Sequence, residues 1–197
     1  ARRTRVLAGV TNLTEGRYLR QSADAGLLAE DARSMLAGKI VEAASSGALD
    51  GIHLDFQGIG SAHWDALAAL ARDVRARLAC ISPNYTLSVT VPHDWTEGAF
   101  DLTYMAECVD LMMLEGLEKG AQDPEGPPTR PTWLRKNVES ALEHVSRSKL
   151  AATIGVYGLD WAAGGQVAYI TSDAAARVAS ETGAHIARDA DSAAAWF

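Results

Sequence analysis

The sequence predicts an α/β fold in which parallel strands alternate with helices. Short apolar runs recur along the chain, and segments of about 10 to 17 residues with a helical spacing of apolar side chains separate them. Because a helix that joins two strands returns the chain to the same end of a sheet, this alternation indicates repeated parallel βαβ units. At 197 residues the chain can bury a sizeable core, and we expect one domain spanning residues 1–197.

The pattern of apolar residues predicts each element in chain order. Strands are predicted at residues 6–11, 51–57, 85–91, 110–114 and 151–157. Helices are predicted at residues 29–44, 64–78, 101–108 and 132–145. The third strand stops at Pro92, which lacks the N–H that a central strand needs. A last helix is predicted from the N-cap Ser172 to Gly183, because glycine readily adopts the left-handed conformation at a helix end.

Composition excludes several classes of partner. The net charge is −7 and no cluster of Lys and Arg exceeds two consecutive residues, so we expect neither nucleic acid nor an anionic membrane surface as a partner. No apolar run approaches the roughly 18 residues of a membrane span. The first residues include basic side chains, but the apolar region that follows them is too short for a signal peptide. Cys80 and Cys108 fit no metal-ligand spacing; buried free thiols are the main interpretation and a disulfide is the alternative. We expect no metal and no cofactor.

The segment from Asp50 to Gln57, with the sequence DGIHLDFQ, is the most informative in the chain. In an extended strand alternate residues face the same way, which places His53, Asp55 and Gln57 on one face and three large apolar residues on the other. Spacing alone is also typical of an ordinary half-solvated strand. On the polar face, a hydrogen bond from His53 to Asp55 is the expected contact.

These residues resemble the signature D-G-x-D-x-D-x-E of family 18 glycoside hydrolases, the chitinase-like barrels. Further segments resemble the family's strands in order: residues 5–12, which end in Thr-Asn, residues 87–92, close to L-S-V-A-V-P, residues 109–114, close to V-D-Y-V-N-L, and residues 152–161, close to L-G-x-x-x-Y-G-x-D-W. The bacterial subgroup of spore cortex-lytic enzymes and polysaccharide-synthase fusions is the most similar. The resemblance implies a (β/α) TIM-type barrel that is partial, from about strand three to strand seven of eight.

The resemblance also implies a substrate-assisted hydrolysis of β-linked N-acetylglucosamine, which departs from the usual scheme of two carboxylates. Asp55 matches the Asp that orients the acetamide, and Asp50 matches the opening Asp. Two motif positions are altered, because His53 stands at the middle Asp and Gln57 at the general acid. On the sixth family strand, Leu117 and Glu118 stand where Tyr and Asp are usual. An amide cannot release the proton that general acid catalysis requires, so the resemblance implies a degenerate catalytic motif.

Binding is expected to survive these losses better than catalysis. The substrate-binding candidates are Trp95, Trp161, Asp160, Tyr157, Glu115 and Asn12, because aromatic faces stack on sugar rings and polar groups bind hydroxyls and amides. Trp64 and Trp196 are predicted to fill the core instead. The implied ligand is a glycan containing N-acetylglucosamine, of the chitin or peptidoglycan type, and an extracellular or cell-surface location is expected.

Two alternatives remain open. The chain is either a working glycosidase, through a new acid pair of Glu115 and Asp55 or with an engineered Gln57, or an interaction or scaffold domain with no carbohydrate role. The scaffold alternative predicts that Trp95 and Trp161 are packed. Whether a partner chain covers the open edges of a partial barrel is a further question that the sequence leaves open.

Overall fold

The computed structural model describes residues 4–47, 49–93, 95–96, 100–117, 129–161, 167–190 and 194–197. These residues form two compact units. The first contains residues 1–114 and 142–151, and the second contains residues 115–141 and 152–197. No helix within the described ranges is long and apolar enough to cross a membrane.

The described strands, in chain order, are β1 (Leu7–Thr11), β2 (Leu13–Thr14), β3 (Arg17–Tyr18), β4 (Gly51–Asp55), β5 (Thr86–Val91), β6 (Leu111–Leu114), β7 (Leu150–Ala152), β8 (Gly158–Trp161), β9 (Val167–Ile170), β10 (Ala187–Arg188) and β11 (Ala195–Trp196). The helices are α1 (Arg20–Ala23), α2 (Glu30–Ser46), α3 (Trp64–Ile81), α4 (Leu102–Cys108), α5 (Pro131–Leu142) and α6 (Ser172–Thr182). A π-helical turn, Asp24–Leu28, lies between α1 and α2.

A five-stranded sheet forms the centre of the first unit, in the order β1-β4-β5-β6-β7. The pairings of β1 with β4, β4 with β5 and β5 with β6 are parallel. Spatial order follows chain order without a reversal, whereas a doubly wound sheet reverses at its switch point. This sequential parallel order is that of a TIM-type barrel wall, which confirms the predicted fold class.

Alternation along the strands separates the apolar core from the polar face, as the sequence predicts. Ile52 and Leu54 of β4 are fully buried, as are the apolar residues of β5. The apolar side of the first unit is covered by helices, among which α2 packs on α3 and α3 on α4. Trp64, at the start of α3, packs edge-on against Phe100 with ring centroids 5.0 Å apart, which confirms it as a core residue.

Aspartates that precede strands hold the amino-terminal edge of the sheet together. The Asp50 carboxylate accepts a hydrogen bond of 2.9 Å from the Val6 N–H, and Asp110 accepts one of 2.9 Å from the Leu87 N–H. Each aspartate therefore fastens the strand that it enters to the neighbouring strand of the sheet. Residues at this edge of a barrel typically contribute to stability rather than to catalysis.

The second unit differs most from the prediction. Of the predicted strand at residues 151–157, only the part in β7, which ends at Ala152, is a strand. The apolar side chains beyond it, Ile154 and Val156, are exposed to solvent, and Val156 is 90% exposed. Two antiparallel hairpins that the sequence pattern did not reveal follow, β8 with β9 and β10 with β11. Helix α6 has Thr171 rather than Ser172 as its N-cap, since the Thr171 hydroxyl accepts the Ala174 N–H at 3.2 Å.

Two further expectations are corrected. Trp196 is 62% exposed, because it lies in the two-residue strand β11, so it does not fill a core. Cys80 and Cys108 are free thiols, but only Cys108 is buried, because Cys80 lies on an exposed side of α3.

Candidate functional site

The polar face of β4 ends with Asp55 at the carboxyl-terminal edge of the sheet. The strand register pairs His53 with Ser88 and Thr11 with Asp55. Gln57 follows the end of β4 by two residues, so its side chain returns to the side of Asp55. This edge is where the active sites of TIM-type barrels lie.

The Asp55 carboxylate is the centre of this cluster. Its Oδ1 accepts hydrogen bonds from the Gln57 Nε2 at 2.9 Å and from the Thr90 Oγ1 at 2.8 Å. Its Oδ2 accepts one from the Tyr18 hydroxyl at 3.3 Å. Because an ionised carboxylate only accepts hydrogen bonds, the nitrogen of the Gln57 amide must face Asp55. Three donors from different segments therefore fix the orientation of the carboxylate.

His53 does not bond to Asp55 directly, which corrects the expected contact. Its Nδ1 lies 2.9 Å from the Ser88 Oγ, and its Nε2 lies 3.1 Å from the Thr90 Oγ1. Thr90 thus stands between the imidazole and the carboxylate. Burial lowers the pKa of His53 below its usual value, and the negative charge of Asp55 opposes this shift with a smaller effect. Burial therefore favours the neutral form of the imidazole.

The side chain of Asn12 holds the backbone of Gln57. Its Oδ1 accepts the Gln57 N–H at 3.0 Å, and its Nδ2 donates to the Gln57 carbonyl at 2.9 Å and to the Leu19 carbonyl at 3.2 Å. The side chain is 2% exposed. Its amide thus holds the backbone of the residue at the general-acid position, and its predicted role in substrate binding stays a prediction.

Asp50, the other aspartate of the motif, lies away from this cluster, and its predicted catalytic role stays a prediction. It precedes β4, whereas Asp55 ends it, and five residues of extended strand span about 16 Å. Its carboxylate is engaged by the Val6 N–H at the opposite edge of the sheet. The next residue, Gly51, is required there, because a Cβ at this position would lie 1.9 Å from the Thr86 carbonyl oxygen. The D-G pair of the motif therefore has a structural role.

Trp95 is packed inside the first unit, contrary to its predicted role in stacking on a sugar. The residue is 7% exposed, and its ring meets His144 edge-on with centroids 5.8 Å apart. A ring covered in this way has no free face for a sugar.

The remaining candidates lie in the second unit. Leu117, Glu115, Tyr157 and Trp161 are half-buried and Asp160 is exposed, while Glu118 lies outside the described residues. The Tyr157 ring meets Tyr169 edge-on, with centroids 5.0 Å apart. Burial, and then the proximity of Tyr169 and Glu115, raise the pKa of Tyr157 above its usual value. The roles assigned to these residues, including the acid pair of Glu115 with Asp55, stay predictions.

Three residues of the cluster were missed in the sequence. Ser88 and Thr90 occupy the alternate positions of β5 that face His53, so the period-two pattern of the strand could have identified them. Tyr18 reaches Asp55 from the short strand β3, and no local pattern points to it. No group of three or more His, Cys, Asp or Glu side chains suited to a metal occurs in the part of the chain that the structure describes.

Comparison with known proteins agrees with the fold. No protein-family model matches the chain. A Bacillus subtilis protein named as a sporulation-specific glycosylase, YdhD, is 27% identical over 167 residues, which cover 81% of this chain. The chain spans 39% of the length of that curated relative.

Solved structures cover nearly the whole chain. The crystal structure of YdhD superposes with a TM-score of 0.86 at 24% identity, covering 96% of this chain and 66% of that one. The spore cortex-lytic enzyme SleL of Bacillus megaterium gives a TM-score of 0.84 at 22% identity, covering 97% of this chain and 46% of SleL. A chitinase from Chromobacterium violaceum gives 0.84 at 20% identity, covering 97% of this chain and 62% of the chitinase. The chain has a chitinase-like fold that is shared with spore cortex-lytic enzymes, as the sequence predicted.

Proposed function

We propose that this chain binds a glycan containing N-acetylglucosamine, of the chitin or peptidoglycan type, and does not hydrolyse it. The observation that carries the proposal is the contact between Gln57 and Asp55. The residue at the general-acid position is an amide, and its Nε2 lies 2.9 Å from the carboxylate as a hydrogen-bond donor.

The absence of a proton donor at this position removes the chemistry that cleavage needs. A general acid must carry a proton that it can release near the working pH, and an amide has none. General acid catalysis typically contributes about 10²–10⁴-fold to a rate, so hydrolysis at this site should be slowed by at least that factor. The altered positions at His53 and Leu117 point in the same direction, since neither supplies the group that the motif usually carries there.

The capacity to bind a sugar is supported by what remains. Asp55 presents a fixed carboxylate at the carboxyl-terminal edge of the sheet. In the second unit, Trp161 and Tyr157 offer partly exposed rings, and aromatic rings stack on the apolar faces of sugars. The fold is shared with proteins that are named as a glycosylase, a spore cortex-lytic enzyme and a chitinase, which favours a glycan as the ligand.

The test is a paired assay of the chain and its Gln57→Glu variant with chitin oligosaccharides. Tryptophan fluorescence follows binding, and chromatography follows cleavage. We expect both proteins to bind and the unsubstituted chain to release no product. A Glu at position 57 would lie in hydrogen-bond range of Asp55, and two carboxyl groups so close share a proton, which raises the pKa of one of them and creates a candidate general acid.

The matched control is Gln57→Met, which keeps the length of the side chain but neither bonds Asp55 nor carries a proton. Cleavage by the unsubstituted chain would overturn the proposal in favour of an active enzyme. Cleavage by the Gln57→Glu variant alone would identify Gln57 as the single block to hydrolysis.

A second candidate function, an interaction domain with no carbohydrate role, is favoured by the burial of Trp95. Under this alternative the aromatic residues serve packing, and neither protein binds chitin oligosaccharides or peptidoglycan fragments. Retention of a folded state, checked by circular dichroism, makes that result decisive.

A further inference from the structure

Four polar side chains on the facing strands β4 and β5 form a continuous row of hydrogen bonds. The row runs from Ser88 through His53 and Thr90 to Asp55, with separations of 2.9, 3.1 and 2.8 Å. The Thr90 hydroxyl has two partners in the row, and the Ser88 hydroxyl and each His53 ring nitrogen have one. The direction of every bond can therefore be worked out from the number of protons available.

The direction is set at the Asp55 end. The Thr90 hydroxyl donates its single proton to Asp55 Oδ1 at 2.8 Å, because carboxylate oxygens are acceptors. The Thr90 oxygen then has only lone pairs left for His53. The His53 Nε2 must accordingly carry a proton and donate it to Thr90.

The other ring nitrogen follows from this assignment. A neutral imidazole has one N–H, so a proton on Nε2 leaves Nδ1 as an acceptor. The Ser88 hydroxyl, 2.9 Å away, is then the donor to Nδ1. The competing acceptor for Ser88, the Ile52 carbonyl, is farther away at 3.4 Å. Ser88 is fully buried, so its hydroxyl has no solvent partner to choose instead.

We propose that Ser88, His53 and Thr90 form a directed hydrogen-bond chain that fixes Asp55 Oδ1 and so sets the orientation of the carboxylate for ligand binding. Thr90 is the positioning residue of this chain. The part of the inference that concerns a ligand rests on the proposed function, whereas the directions of the hydrogen bonds do not.

The two oxygens of Asp55 differ in their hydrogen bonds, and this difference bears on ligand binding. Oδ1 is engaged by both Thr90 and Gln57, while among the described residues Oδ2 has the longer contact of 3.3 Å with Tyr18. A ligand donor that replaces or joins the Tyr18 hydroxyl would meet Oδ2. This agrees with the role in orienting the acetamide that the family resemblance implies for Asp55.

Two departures from the sequence pattern meet in this row. His53 occupies the position of the middle Asp of the motif, and Thr90 stands at the Ala of the pattern L-S-V-A-V-P. An alanine at position 90 would leave no group between the imidazole and Asp55. The hydroxyl of Thr90 therefore connects the His53 ring to the Asp55 carboxylate by hydrogen bonds.

The experiment compares the chain with Thr90→Val and Thr90→Ser by long-range ¹H–¹⁵N NMR of the histidine rings and by titration with chitin oligosaccharides. The His53 signals are assigned by their absence from a His53→Asn variant. At pH 8 we expect the original chain and Thr90→Ser to show a protonated Nε2 and an unprotonated Nδ1. Thr90→Val, which keeps the branched shape of the side chain, should lose this preference and bind the glycan about ten-fold more weakly, since one charged hydrogen bond is lost.

A protonated Nδ1 in the original chain, or a Thr90→Val variant that keeps both the tautomer and the affinity, would overturn the inference. A Thr90→Ser variant that behaves like Thr90→Val would also overturn it, because the hydroxyl would then not be the group that matters. If the original chain binds no oligosaccharide, the proposed function fails, and the NMR signals alone test the direction of the chain.

Discussion

Asn12 holds both polar backbone groups of Gln57, accepting its N–H at 3.0 Å and donating to its carbonyl at 2.9 Å. The two residues are 45 positions apart in sequence, and Asn12 follows β1 while Gln57 follows β4, its parallel neighbour. A side-chain amide thus continues the pairing of the two strands beyond the last backbone bond, at the residue on which the proposed function depends.

The first prediction concerns the removal of the two hydrogen bonds between the Asn12 side chain and the Gln57 backbone. Asn12→Ala leaves the Gln57 N–H and carbonyl without their side-chain partner in a partly buried position. Each polar group left unpaired on burial lowers the stability of the fold by about 1–3 kcal/mol. We expect the free energy of unfolding to fall by about 2–4 kcal/mol, measured by urea denaturation. Binding of chitin oligosaccharides should weaken as well, because the backbone under Gln57 is released.

The control for this prediction is Asn84→Ala, at an exposed asparagine. Substitutions at such surface positions usually change stability by less than about 0.5 kcal/mol. Equal losses in the two variants would contradict the role assigned to Asn12.

The second prediction concerns Gly51, at the start of β4. A Cβ there would lie 1.9 Å from the Thr86 carbonyl oxygen and 2.8 Å from a Leu7 methyl group. Because the Thr86 oxygen belongs to the neighbouring backbone, it cannot turn aside as a side chain would. We expect Gly51→Ala to lower the free energy of unfolding by about 3 kcal/mol or more, or to prevent folding.

Gly9 provides the matched control, since it lies on the adjacent strand β1 and pairs with His53. A Cβ at Gly9 would meet no atom within 4 Å. Gly9→Ala should therefore fold normally, with a stability within about 0.5 kcal/mol of the original chain. The second prediction is wrong if the two alanine variants melt at the same temperature.

The third prediction concerns the dependence of stability on pH. Burial lowers the pKa of His53 in the folded chain, so in a range near and below its usual value of about 6.5 the unfolded chain binds more protons than the folded one. The stability associated with the neutral imidazole is therefore fully present above that value and is lost as the pH falls below it. We expect the melting temperature to fall as the pH is lowered from 7.5 to 5.5, and part of this fall to come from the protonation of His53.

This contribution is isolated with His53→Gln, which removes the titrating group. Its loss of melting temperature between the two pH values should be smaller than that of the original chain. His185→Gln, at an exposed histidine, is the control and should keep the slope of the original chain. Equal slopes in His53→Gln and the original chain would exclude His53 as the source.

The elements of the first unit were predictable because they depend on local spacing. The stripe of apolar residues from Trp64 onward predicted α3, and the strict alternation from Gly51 onward predicted β4 with its polar face. Trp196 and Val156 show where the same approach fails. Their apolar side chains predicted a core position and a strand, but no element among the described residues covers them.

The candidate site divides along the same line. The sequence by itself determined that His53, Asp55 and Gln57 share a face and that position 57 carries an amide, because alternation in a strand and the identity of a residue are local facts. Only the tertiary structure decided that Thr90 lies between His53 and Asp55, that Asn12 holds the Gln57 backbone and that Trp95 is packed. These contacts join residues 35 to 49 positions apart, and they depend on the register of the parallel strands and on the packing around the sheet.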